Sequence, residues 1–133
     1  MTEELREWID KAEGDYFSAL REYRARKHVN HDSACFHAQQ CIEKYLKATL
    51  VRHRIPFPKT HDLLPLLAAC VPFHPVWRLW RDDVETLSQY AVLFRYPGES
   101  AGCADAKTAI CIMKRLRTEL RCALGLGSVR ASA

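Results

Sequence analysis

A chain of 133 residues, 48% apolar and 27% charged, has the length of one domain and the balance of a globular one, which excludes two independent cores and wholesale disorder. Its net charge of +4 is spread along the chain and not gathered into a run, so charge permits contact with nucleic acid without arguing for it. No stretch approaches the roughly 18 apolar residues of a membrane span, and the opening MTEELREWIDK is acidic and amphipathic, unlike a signal peptide, so a cytoplasmic protein is expected.

Thr2 is a plausible N-cap for a first helix running to about Lys27. Leu5, Trp8, Ile9, Ala12, Tyr16, Ala19, Leu20 and Tyr23 recur at helical spacing and form its core stripe. Asp15 lies at the edge of that stripe. A buried carboxylate there would need a partner, from the second helix or from Arg95, whereas an outward one would need none. The turn HVNHD follows, where Asn30 or Asp32 can cap a second helix reaching about His53. Arg24, Arg26, Lys27, His28 and His31 gather positive charge at this corner, as suits a helix C-terminus.

RIPFPK, with Pro56 and Pro58, reads as a stiff extended connection. Thr60 then caps a short third helix, with His61 and Asp62 in its first turn, Pro65 tolerated there, and Leu63, Leu66 and Leu67 facing inward. VPFHP breaks the chain again. Periodicity returns from Val76 to Phe94 through Trp77, Trp80, Val84, Leu87 and Tyr90, and Arg95 to Gly98 end that helix. A last helix, capped near Ser100 or Cys103, buries Ala106, Ala109, Ile110, Met113, Leu116, Leu120 and Leu124 and stops before Gly125. With no strand-like alternation, the expected fold is all-α: an antiparallel up-and-down bundle of four long helices plus a short one over residues 1–126. The small-residue stretch 127–133 is expected to be a disordered tail.

Cys35, Cys41, Cys70, Cys103, Cys111 and Cys122 fall almost entirely at apolar helix positions and read as reduced hydrophobes. His31 with Cys35 and His37 with Cys41 could each give two zinc ligands, but no CxxC or HxxxH completes a set, so neither metal nor cofactor is expected.

The second helix carries the most distinctive stretch, HAQQCIEKYLKA. Ala34, Ala38, Cys41, Ile42, Tyr45 and Leu46 form a broad apolar stripe. His37, Gln40, Lys44 and Lys47 form a polar one beside it, with Glu43 able to pair with Lys47. That polar stripe is either a solvated face or an anion-facing surface. FHAQQCIEKYLKA followed by THDLLPLL, with WIDKAEGDYFSA before and RYP after, resembles the HEPN family, the higher eukaryotes and prokaryotes nucleotide-binding domain, from about Trp8 through the last helix.

The resemblance implies a helical bundle, commonly a homodimer, often set in a toxin–antitoxin module with a minimal nucleotidyltransferase as partner. It implies an acidic residue at Asp15. It also implies metal-independent ribonuclease chemistry in many members, in which an Arg holds the scissile phosphate and a His, separated from it by four to six residues, moves a proton. Here the matching Arg is Arg95, and Ser100, Ala101 and Gly102 stand where the His would be. Arg26 to His31 and Arg54 to His61 meet the spacing in the wrong elements.

That leaves a binding surface, with His37, Gln40, Lys44, Lys47, His61, Arg95 and Tyr96 as candidate contacts to a nucleotide or RNA phosphate. The alternatives are a displaced ribonuclease dyad of Arg95 with His61, a non-catalytic dimeric interaction module, and a structural network joining Asp15 to Lys44 or Arg95.

Overall fold

A computed structural model describes residues 1–127. Five α-helices follow in order: α1 (Glu3–Arg24), α2 (His31–Arg52), α3 (Leu63–Cys70), α4 (Arg81–Leu93) and α5 (Cys103–Ala123). A 3-10 turn, Pro75–Trp80, precedes α4, and the described residues contain no strand. Of the expected tail, all but Gly127 lies outside the described residues.

Local chemistry sets the helix ends. The Thr2 hydroxyl accepts from Leu5 N–H and the Asn30 amide oxygen accepts from Ser33 N–H, each satisfying a free donor of a first turn. At the other end of α2, Arg54 takes the left-handed conformation (φ 58°), with Arg54 N–H donating to Val51 and Ile55 N–H to Leu50. Gly125 (φ 77°) closes α5 in the same way, through Gly125 to Cys122 and Leu126 to Arg121.

Three boundaries differ from the sequence reading. The N-cap of α3 is Asp62, whose carboxylate accepts from Leu64 N–H, so Thr60 and His61 stand before the helix. Residues 75–80 wind as a 3-10 turn and not as the start of α4. There side chains three apart eclipse, and Trp77 stacks on Trp80 with centroids 4.7 Å apart. The N-cap of α5 is Gly102, whose N–H donates to the Asp105 carboxylate.

Side-chain partners give the helix directions. Along α1 and α2, Trp8 meets Lys47 while Asp15 meets Lys44 and His37, so the two run antiparallel. Asp83 pairs with Arg115 and Tyr90 with Asp105, so α4 opposes α5. Asp32 reaches Ala101 and Tyr45 reaches Arg121, which sets α5 parallel to α2.

Helix α2 touches α1, α3, α4 and α5, and between Ala34 and Leu50 every residue is buried except Phe36, His37, Gln40 and Lys44. Tyr45, Ile42, Leu46 and Leu50 are fully enclosed, each worth about 1.5–3 kcal/mol of transfer free energy for its aliphatic or aromatic body.

The cysteines divide into two groups. Cys35, Cys41 and Cys70 are buried as expected, and burial pushes the Cys35 and Cys70 thiols up to about 12. Cys103, Cys111 and Cys122 are exposed, the last two because they sit on the face of α5 opposite its core stripe and Cys103 because it is the first residue of the helix.

Candidate functional site

Three carboxylates near the borders of α2 organise the polar side chains of the molecule. Asp15, on α1, is buried and accepts from Lys44 Nζ and from His37 Nδ1, the latter at 2.8 Å. Both of its oxygens are thereby occupied. Arg95 takes no part, which corrects its expected place as an alternative partner of Asp15. The reason is reach: His37 and Lys44, about two turns apart, lie on the helix packed against Asp15, whereas Arg95 follows α4, which does not pack on α1.

Glu43, also buried, accepts from Lys47 Nζ at 3.2 Å, from Gln39 Nε2 at 3.2 Å and from His61 Nδ1 at 3.1 Å. Lys47 is correspondingly not a surface residue. Its ammonium lies 5.5 Å from the Trp8 ring centroid and 5.8 Å from that of Phe57. Gln39, fully buried, also donates to the His61 carbonyl at 2.9 Å and accepts from Gln40 at 2.7 Å. The 53–62 connection is therefore pinned to α2 through both backbone and side chain of His61. Because an ionised carboxylate only accepts, His61 presents Nδ1–H to Glu43 and leaves Nε2 facing outward, on a side chain that is 76% exposed.

The third cluster went unread in the sequence. Glu13 accepts from Arg117 Nε at 2.7 Å and Nη2 at 2.5 Å, and from the Tyr45 hydroxyl at 2.5 Å, while Arg121 Nη1 lies 3.3 Å away. The Arg117 guanidinium also stacks over Tyr16, 3.8 Å from its centroid. A signal was present: Glu13, Arg117 and Arg121 fall four residues from Ile9, Met113 and Arg117 along core stripes, where a charge stays only if partnered.

Gln40, His61 and Arg95 converge. With Ser88 and Gln89 of α4 they line a groove of about 660 Å³ whose apolar side is Leu64, Val92 and Leu93. Arg95 also borders a second depression of about 370 Å³ beside Asn30, Phe36 and Phe94. Of the other expected contacts, His37, Lys44 and Lys47 are tied to Asp15 and Glu43, and Tyr96 is exposed just past Arg95 without lining the groove. Among the described residues, no three His, Cys, Asp or Glu side chains are grouped to hold a metal ion.

The HEPN domain family model matches residues 5–123, nearly the whole chain. The chain belongs to the HEPN family. No curated protein and no solved structure matches it. The HEPN match spans α1 to α5, so the groove and all three carboxylate clusters lie inside the family domain. In this HEPN chain the 53–62 connection brings His61 to the groove from one side and the end of α4 brings Arg95 from the other.

Proposed function

We propose that the groove between α2, α3 and α4 binds a nucleotide, free or as one unit of a nucleic acid. The observation that carries this reading is the convergence of Gln40, His61 and Arg95, from three separate elements, on one partly apolar opening. Membership of the HEPN family supports it. Arg95 takes the phosphate through charge-assisted hydrogen bonds, Gln40 and His61 add polar contacts, and Tyr96 offers a ring at the rim. His37, Lys44 and Lys47 act through the carboxylates they neutralise and not by touching ligand. Titration calorimetry with ATP and with AMP is expected to detect binding that Arg95→Ala weakens by about 10- to 100-fold. An absence of heat at millimolar nucleotide would return the groove to architecture.

A second reading rests on the Glu43–His61 pair. A histidine whose Nδ1–H is fixed by a buried carboxylate has its Nε2 free to move a proton, and Arg95 shares its groove. On this reading the protein is a metal-independent ribonuclease with a displaced Arg/His dyad. RNA incubated with the wild type, Arg95→Ala and His61→Ala should then be cut only by the wild type, and cutting by both variants would exclude the dyad.

The setting proposed from the family is a cytoplasmic toxin–antitoxin module with a minimal nucleotidyltransferase partner, in which the chain acts as a homodimer. Light scattering at high concentration is expected to give twice the 15.3 kDa chain mass. A mass of one chain would remove the dimer, and with it the reading of the protein as a dimeric interaction module.

A further inference from the structure

Between Asp62 and Asp82 the sequence has no carboxylate side chain, and its ionised groups are Arg78 and Arg81. This segment folds into α3, a turn and the 3-10 turn, and it leaves large apolar side chains in water. Leu79 is 71% exposed, Val76 66% and Phe73 41%. Val76 and Leu79 are three apart in a helix of three residues per turn, so they stand one above the other as a ridge. Phe73 precedes them at the same spacing and stacks on His53, with ring centroids 4.1 Å apart.

Arg78, between Val76 and Leu79 in sequence, also helps to line an opening of about 530 Å³. Leu64, Leu67, Ala68 and Val71 form its apolar side, and Arg81 stands with Arg78 along it. These guanidinium groups are weakly engaged. Arg78 donates to the Pro75 carbonyl at 3.2 Å, and Arg81 has one exposed contact with Glu85 at 3.4 Å. Arg52 and Arg54, both exposed on either side of His53, add positive charge at the same end of the molecule. Asp62, at the edge of the opening, already accepts from Leu64 N–H and the Ser88 hydroxyl.

An apolar ridge, an apolar trough and a basic border together select an occupant. A second copy in a two-fold contact centred on Arg78 and Arg81 would set them against their own counterparts, and like charges facing one another oppose association. A bilayer surface would cover the ridge but leave the trough unfilled. We propose that this face docks an acidic amphipathic helix of a different protein, with its apolar stripe on Ala68, Val76 and Leu79 and its carboxylates against Arg78 and Arg81. The proposal does not rest on the nucleotide groove, since Arg95, Gln40 and His61 lie outside this opening, although Asp62 and Leu64 border both.

The test uses the full chain and two fluorescein-labelled helical peptides of about 20 residues, with leucines at i, i+3, i+4 and i+7 and either glutamates or lysines elsewhere. Fluorescence anisotropy is expected to show binding of the glutamate peptide and on the order of tenfold weaker binding of the lysine peptide. Arg78→Glu with Arg81→Glu should reverse that preference. Leu79→Glu should weaken the glutamate peptide by a similar factor while circular dichroism shows the same melting temperature. Equal binding of both peptides, or variants that bind as the wild type does, would overturn the proposal. So would flotation with anionic phosphatidylserine vesicles in place of peptide binding, or self-association of the chain that Leu79→Glu abolishes.

Discussion

Glu13→Ala lowers the free energy of unfolding by about 3–5 kcal/mol, a large part of the roughly 5–15 kcal/mol that holds a domain of this size together. The reason is the state of what remains. The Arg117 and Arg121 side chains are almost completely buried, and Glu13 is the carboxylate that both of them face. Without it the Arg117 guanidinium and the Tyr45 hydroxyl keep their burial and lose their acceptor, and Arg121 loses its carboxylate and keeps only its hydrogen bond to the Tyr45 hydroxyl, its Nε having no partner among the described residues. Glu13→Gln, which keeps the shape and one acceptor, is expected to lose less. Glu13→Leu combined with Arg117→Met and Arg121→Met should recover much of the loss, because a buried cluster replaced whole by apolar groups leaves no charge stranded. Urea unfolding followed by circular dichroism measures all three, and a loss for Glu13→Ala under about 1 kcal/mol would show the cluster to be solvated.

The same residue gives the protein an acid sensitivity of definite sign. Burial by itself would raise the Glu13 carboxyl. The hydrogen bonds from Arg117 and Tyr45 and the charges of Arg117 and Arg121 outweigh it and hold the group below 4.5. Between the folded value and the ordinary one, the unfolded chain therefore binds more protons than the folded chain. The stabilisation is complete above about pH 4.5 and is lost as the pH falls through the folded value. Stability of the Glu13→Gln variant should change less with pH over that acid range than stability of the wild type.

Glu43→Ala is the second large effect, expected at about 3 kcal/mol, and it reaches the groove as well. Lys47 would keep its place between Trp8 and Phe57 without an anion, Gln39 would lose one acceptor, and the His61 ring would lose the contact that fixes it. Stability and ligand binding separate in the double variant Glu43→Leu with Lys47→Met. It should regain most of the stability while His61 stays unanchored, so nucleotide affinity should remain reduced. Affinity restored along with stability would mean that His61 needs no orientation by Glu43.

Much of this protein was legible in the order of its residues. Helical periodicity marked α1, α2 and α5. Thr2, Asn30 and Gly125 marked ends by chemistry that acts within a few residues. The Glu43–Lys47 pair followed from the spacing of a single helix. Family membership was readable too, since it rests on the order of motifs along the chain. Readings failed where a neighbour in space decided the outcome. Residues 75–80 have an α-like pattern but wind as a 3-10 turn around stacked tryptophans. Lys47 occupies a polar stripe position yet is enclosed by Trp8 and Phe57, which come from other elements.

The site divides along the same line. Sequence nominated Gln40, His61 and Arg95, and packing alone brought them to one groove, across gaps of 21 and 34 residues in a chain of 133. Packing also assigned Asp15 to His37 and Lys44 instead of Arg95, and it joined Glu13 to Arg117 across 104 positions. Sequence by itself determines periodicity, near-neighbour pairs and such caps as Thr2 and Asn30, because those forces act within a turn or two of helix. Which carboxylate meets which cation is settled only by tertiary structure, because that choice depends on which helix faces lie against each other once α2 is enclosed.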